Sequence, residues 1–152
     1  MLPFLLVKWV HVLSAITAVG ANFTYGIWIA QASVEPSHLP YVLRNIRLID
    51  RRLANPSYGL LLVTGLMMAF LIPIPLDTPW LLAALILYAA AALLGIFAYS
   101  PVIKKQMRLL ESAGLISVEY RDVAKQSRLY GMLVTIDVVL IVFLMVVKPP
   151  LW

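Results

Sequence analysis

The sequence predicts an all-α membrane protein: a polytopic four-helix bundle with both termini on the outer side and an amphipathic helix at the cytoplasmic interface. Three observations carry this. Apolar residues make up 62% of the chain and charged residues 12%, about half the charged share of an ordinary soluble domain, and mean hydropathy is +0.93. The apolar residues gather into four runs of about the length that crosses ~30 Å of hydrocarbon. The basic residues gather between those runs, in two of the three connections.

The first run covers about residues 3–30 and the second about 57–72, closed by "PIPLDTP". The third covers about 79–99, ended by Ser100-Pro101, and the fourth about 129–147, ended by "KPPLW". Prolines sit at the ends of these runs, where a missing N–H and a fixed φ do least harm to a helix. A cleaved leader needs a short apolar core after a positive start; here "MLPFLLV" precedes Lys8 and the run continues far beyond, so it reads as a retained span. Residues 1–152 read as one four-span domain, with no internal repeat.

The connections fix the expected sidedness. Residues 31–56 carry Arg44, Arg47, Arg51 and Arg52, and residues 101–128 carry Lys104, Lys105, Arg108, Arg121, Lys125 and Arg128. Residues 73–78 carry Asp77 and no base. Basic connections stay in the cytoplasm, so both termini and the short turn are expected outside, in the inner (plasma) membrane. Within the first basic connection, "YVLRNIRLIDRRL" puts Val42, Ile46 and Ile49 near one helical face and arginines on the other, the pattern of a helix lying in the interface. "SPVIKKQMRLLESAG" is expected to extend the third helix inward, with Gly114 as its stop. Trp9, Trp80 and Trp152 fall where indoles prefer to sit, near the outer boundary.

Composition also excludes chemistry. The chain has no cysteine, which removes disulfides, thiolate metal sites, iron–sulfur clusters and covalently attached haem. The net charge of +5 is accounted for by inner-leaflet placement of the basic residues, so no nucleic-acid partner is expected. No nucleophile–base pair and no glycine-rich phosphate loop is present. Gly59, Gly65 and Gly95 read as close-packing positions between helices.

Polar residues inside the runs are the candidates for function, because ionisable groups in a membrane are costly and mark function by default. In "KWVHVLSAITAVGANF", Lys8 and His11 are three apart and share a helix face. His11 could ligate a buried metal or haem iron, with Lys8 meeting an anionic group such as a haem propionate. Equally, Lys8 could reach the headgroups while His11 hydrogen-bonds a neighbouring helix. Ser14, Ala15, Ala18 and Asn22 follow on the face of His11. These small side chains leave room either for a flat macrocycle or for a close-packed helix. Tyr25 and Asn22 could hydrogen-bond deeper in the same cavity.

His11 is the one histidine in a span, since His38 lies in the connection "EPSHLP". A second axial ligand would therefore be Met, Lys, water or a histidine of a second chain, with Met67, Met68, Met132 and Met145 as the methionines at hand. Asp137, in "LVTIDVVLIVF", must be paired, protonated or beside water. It could relay protons, or make an interhelical pair with Thr64, Asn22 or Tyr88.

"LVKWVHVLSAITAVGANF" resembles the opening helix of several small four-helix membrane proteins: the copper-resistance D type, the membrane protoporphyrinogen IX oxidase type, and the integral-membrane family called domain of unknown function 2269. The last is the most similar, through "NPSYGLLLVTGLMMA", "WLLAALILYAAAALLGIFAYSPVIKKQMRLL" and "IVFLMVVKP" in that order. The resemblance implies a b-type haem or a metal held by histidine in a helical bundle, with Lys8 and His11 on the K-x-x-H of the first helix.

The expected function is thus a haem b-binding electron-transfer protein of the inner membrane. The site would comprise His11, Lys8, Ser14, Ala15, Ala18 and Asn22, with His11 as the iron ligand and Asp137 apart from it. The expected partners are the lipid bilayer and a homodimer mate or a larger membrane complex. Two alternatives stand beside it: a non-catalytic small subunit packed against a larger complex, and a proton-coupled carrier using Asp137.

Overall fold

The computed structural model describes residues 1–151 apart from Ala113 and Ile116, with backbone alone at Ser33 and Pro36. Among the described residues the regular structure is entirely helical. Helix α1 (Leu2–Val34) enters with a proline in its first turn and runs for 33 residues. That is about 50 Å, longer than the hydrocarbon thickness. A 3₁₀ turn at Pro36–His38 leads to α2 (Leu39–Ile49), then come α3 (Asn55–Leu71), α4 (Pro79–Leu93), α5 (Ser100–Ser112) and α6 (Val118–Val147). Four helical stretches, Leu2–Ala32, Leu39–Leu71, Pro79–Ser112 and Val118–Val147, are long and apolar enough to cross a membrane.

Two of those stretches are compound. A π-helical turn at Asp50–Ala54 joins α2 to α3, and another at Leu94–Tyr99 joins α4 to α5. The N–H of Asn55 bonds to the Asp50 carbonyl and that of Ser100 to the Gly95 carbonyl, each five residues back. The physical cause follows in sequence: Pro56 and Pro101 come two residues after the ends of these turns. A proline lacks the N–H for the regular bond, and its ring collides with the carbonyl four back; one extra residue moves that carbonyl aside. The sequence pattern ends the third apolar run at Ser100-Pro101 but extends its helix inward to Gly114, and the structure does so through the π turn. It treats the "YVLRNIRLIDRRL" segment as separate, whereas the structure carries helix through Pro56 as well.

The remaining ends follow ordinary capping chemistry. Ser117 accepts a 3.1 Å hydrogen bond from the Tyr120 N–H and starts α6 two to three turns before its apolar run. Gly114, just beyond α5, has φ +70°, the left-handed stop expected of it. α6 closes at Lys148, φ 51°, where Pro149 cannot continue the helix.

α1 packs chiefly on α3 and α4 on α6, while α1 also touches α6. α3 and α4, though joined by a short turn, stand apart and are bridged by Tyr88, whose hydroxyl donates to the Tyr58 carbonyl at 2.9 Å. Ser14, Ala18, Thr64, Ala69 and Ala84 are buried between the helices, whereas Leu5, Ile16, Phe23, Phe70, Phe97 and Phe143 face outward. That pattern is natural in lipid, where large apolar side chains gain nothing by hiding and small ones let backbones approach. Among the described residues a conventional core sits at one end, where Ala32, Leu39, Leu43 and Tyr120 cluster with Met107 and Leu110 against them.

The two ends of the bundle differ in charge. One holds the N-terminus, the Pro73–Thr78 turn and the end of α6. There Lys148 lies over the Trp80 ring, 5.1 Å from its centroid, a cation–π contact, and Trp9 is exposed. Trp152 lies outside the described residues. The other end holds α2, both π turns, α5 and the start of α6, and with them every lysine and arginine except Lys8 and Lys148.

Candidate functional site

The packed face of α1 is the face singled out in its sequence. Ser14 and Ala18 are buried, Ala18 completely so, and Tyr25 and Ala32 continue the line. His11, Ala15 and Asn22 are half-buried, and Lys8 is exposed. His11 and Asn22, at the two ends of the stripe formed by Ser14, Ala15 and Ala18, both hydrogen-bond to α3. The structure thus joins the stripe to a helix, and leaves His11 and Lys8 at its outer end.

His11 is held by α3 on one edge of its ring. Its Nδ1 is 2.9 Å from the Thr64 hydroxyl oxygen. That hydroxyl in turn donates to the Leu60 carbonyl at 2.5 Å, which uses its one proton. The bond to His11 therefore runs from Nδ1–H to Thr64, a tautomer assigned from the network. In the neutral imidazole this leaves Nε2 with a bare lone pair. The Leu61 carbonyl also lies against the ring.

Gly65 makes this approach possible. A Cβ there would come within 3.2 Å of His11 Cε1 and 3.7 Å of Nδ1. The Nδ1–Cε1 edge thus faces α3 so closely that a Cβ at position 65 would push the ring back by a few tenths of an ångström. Gly65 is the close-packing position its sequence suggests; Gly59 and Gly95 meet nothing within 4 Å.

Further along the same interface, Asn22 donates to the Tyr58 hydroxyl and, at 3.1 Å, to the Ala18 carbonyl. The Tyr25 hydroxyl is buried without a hydrogen-bond partner. Asp50, in the first π turn, accepts from Asn55 at 3.3 Å and lies within electrostatic reach of Tyr25, Tyr58 and Tyr99. The seam between α1 and α3 is therefore polar at both ends and sealed by Ala18 between them.

Asp137 stands apart on α6. Its Oδ2 is buried with no hydrogen-bond partner. The three partners its sequence position suggests are engaged elsewhere: Thr64 with His11, Asn22 with Tyr58, and Tyr88 with the Tyr58 carbonyl. Among the methionines, Met67 and Met132 are exposed, and Met68 and Met145 are half-buried. His38 pairs with Glu35 at 3.2 Å in the connection after α1. Among the described residues no group of three or more His, Asp or Glu side chains is placed to hold a metal ion.

Sequence reasoning missed the partners on α3. Its signal was present: Ser57, Tyr58 and Thr64 interrupt an otherwise apolar run, and Ser57 and Thr64, seven apart, share a face; both are buried.

No curated protein and no solved structure matches the chain. Four helices long and apolar enough to cross a membrane agree with the description of a matching family, a predicted integral membrane protein. The chain belongs to the family of predicted integral membrane proteins DUF2269, which it matches over residues 5–149.

Proposed function

We propose that the protein binds haem b and transfers electrons in the inner membrane, with His11 as an axial ligand through Nε2. The observation that supports this is the His11–Thr64–Leu60 chain. A ligating histidine needs its second nitrogen held by a hydrogen bond, so that the tautomer and ring direction are fixed before the iron arrives. Thr64 does this here. The donor set suits one axial position, and Lys8, exposed one turn away on the same face, suits a propionate. Ser14 and Ala18 are already buried among the helices, so in this proposal the stripe supports the helix pair that aims His11 and does not wall the macrocycle.

When bound, a haem supplies one-electron exchange. The chain's own residues do the rest. Thr64 keeps the Nδ1 proton, Gly65 lets the ring lie against α3, and the Lys8 ammonium offsets negative charge at the membrane boundary. With one histidine per span set, the second ligand comes from a methionine, a lysine, water or the His11 of a second copy. We place the strongly basic end in the cytoplasm and both termini outside, because basic connections are retained there.

The test is a visible spectrum of the detergent-purified protein, oxidised and then reduced with dithionite, from cells able to make haem. A Soret band with reduced α and β bands, lost in His11→Ala and kept in His38→Ala, supports the reading. A flat spectrum overturns it and turns the search to a partner complex. A second reading, a proton-coupled carrier, draws on the partnerless Oδ2 of Asp137; it predicts transport that Asp137→Asn abolishes while the fold survives.

A further inference from the structure

The basic end of the bundle contains an open groove of about 400 Å³ lined by Arg47, Lys104, Met107, Arg108 and Glu111. It lies between two strips that mirror each other. On α5, Lys104, Arg108 and Glu111 follow at spacings of four and three; on α2, Pro40, Arg44 and Arg47 do the same. A smaller recess that shares Met107 and Glu111 with it is lined by Pro40, Leu43, Arg44, Met107, Leu110 and Glu111, so apolar side chains lie beside the charged ones, with Leu43 fully buried.

The charges of this groove are not spent on each other. Among the described residues the ion pairs are Lys105–Glu119, Lys125–Asp122 and His38–Glu35, and none includes Arg44, Arg47, Lys104 or Arg108. Four cations therefore share one acid, Glu111. Both sides of the groove lie beyond the apolar runs: Lys104 comes five residues after Tyr99, and Arg47 comes eight residues before the start of α3 at Asn55.

We propose that the groove between α2 and α5 binds the phosphate of an anionic membrane lipid, with Arg47, Lys104 and Arg108 as its ligands and Met107 and Leu43 beneath the glycerol. Guanidinium groups suit phosphate oxygens bidentately, and basic pockets between helices at the inner leaflet are suited to such headgroups. Apolar side chains beside cationic ones serve a molecule that is itself half apolar, which free phosphate is not. Glu111 lies farthest from the membrane of the α5 strip and repels the anion, fixing where the phosphate can sit.

Native mass spectrometry and thermal unfolding of the full chain in neutral detergent test this, with phosphatidylglycerol, cardiolipin, phosphatidylcholine and inorganic phosphate as probes. Phosphatidylglycerol and cardiolipin are expected to bind and raise the unfolding temperature, and phosphatidylcholine is not. Each of Arg47→Gln, Lys104→Gln and Arg108→Gln weakens binding about fivefold, the three together about a hundredfold, and Glu111→Gln tightens it. Lys125→Gln, outside the groove, leaves binding unchanged. If the triple variant fails to fold, Arg108→Gln and Glu111→Gln moving in opposite directions carry the test. Equal binding of phosphatidylcholine, unchanged affinity in these variants, or equal protection by inorganic phosphate overturns the proposal.

Discussion

His11 and Thr64, 53 positions apart, are joined by a 2.9 Å hydrogen bond in which the histidine is the donor. The direction follows from the Leu60 carbonyl, which takes the threonine's own proton. Removing the threonine hydroxyl therefore orphans an N–H between two helices. Thr64→Val is expected to cost about 0.5–1.5 kcal/mol, read from thermal or denaturant unfolding in detergent. If the protein is pigmented, the same variant shifts the midpoint potential while keeping the Soret band, since the ligand remains but its orientation is no longer held.

Gly65 is the second control on the same ring. Gly65→Ala needs the imidazole to give by a few tenths of an ångström, and Gly65→Leu needs far more. Gly65→Leu is expected to destabilise by about 1–3 kcal/mol. Adding His11→Ala should return part of that loss, so the pair shows a coupling of about 1 kcal/mol in a double-mutant cycle. Additive losses would show that the ring and the glycine are not in contact.

Tyr88 spans the gap between α3 and α4 with one hydrogen bond to the Tyr58 carbonyl. Tyr88→Phe keeps the ring and deletes that bond. The expected loss is about 0.6 kcal/mol, the average for such bonds in membranes. Faster amide exchange at the start of α3 than in the native chain is the local readout.

The turn before Pro101 contains one residue more than a regular helix needs. Deleting the exposed Ile96 alone forces the proline ring onto a carbonyl and is expected to cost about 3 kcal/mol. Deleting Ile96 together with Pro101→Ala removes both the extra residue and its cause, so the double variant should unfold within about 1 kcal/mol of the native chain. A double variant as damaged as the single deletion would show that the π turn has another origin.

Four long helices were legible because hydropathy depends only on local residues, and each run is close to a bilayer in length. The face of α1 was legible too, since Ser14, Ala18 and Asn22 repeat at helical spacing, and the structure buries or half-buries all three. What covers that face was not. A stripe of small side chains looks the same whether a helix or a flat ligand lies on it, and the covering α3 arrives some 40 residues later. The His11–Thr64 pair was hidden for the same reason: a hydrogen bond between helices leaves no periodic trace. Pro56 misled in a different way. It signals a helix end by local rules, yet the chain stays helical through it with a π turn as the compromise.

Those two turns change how the chain's faces are to be drawn. A regular helix advances about 100° per residue, so each surplus residue puts everything beyond it out of phase by that angle. A single helical wheel through Leu39–Leu71, or through Pro79–Ser112, superimposes residues that point in different directions. Separate wheels, broken at Asp50–Ala54 and Leu94–Tyr99, restore the apolar and basic sectors on each side. A related chain lacking the proline at position 56 or 101 should carry a one-residue gap just before it when aligned, in the middle of an otherwise continuous helix.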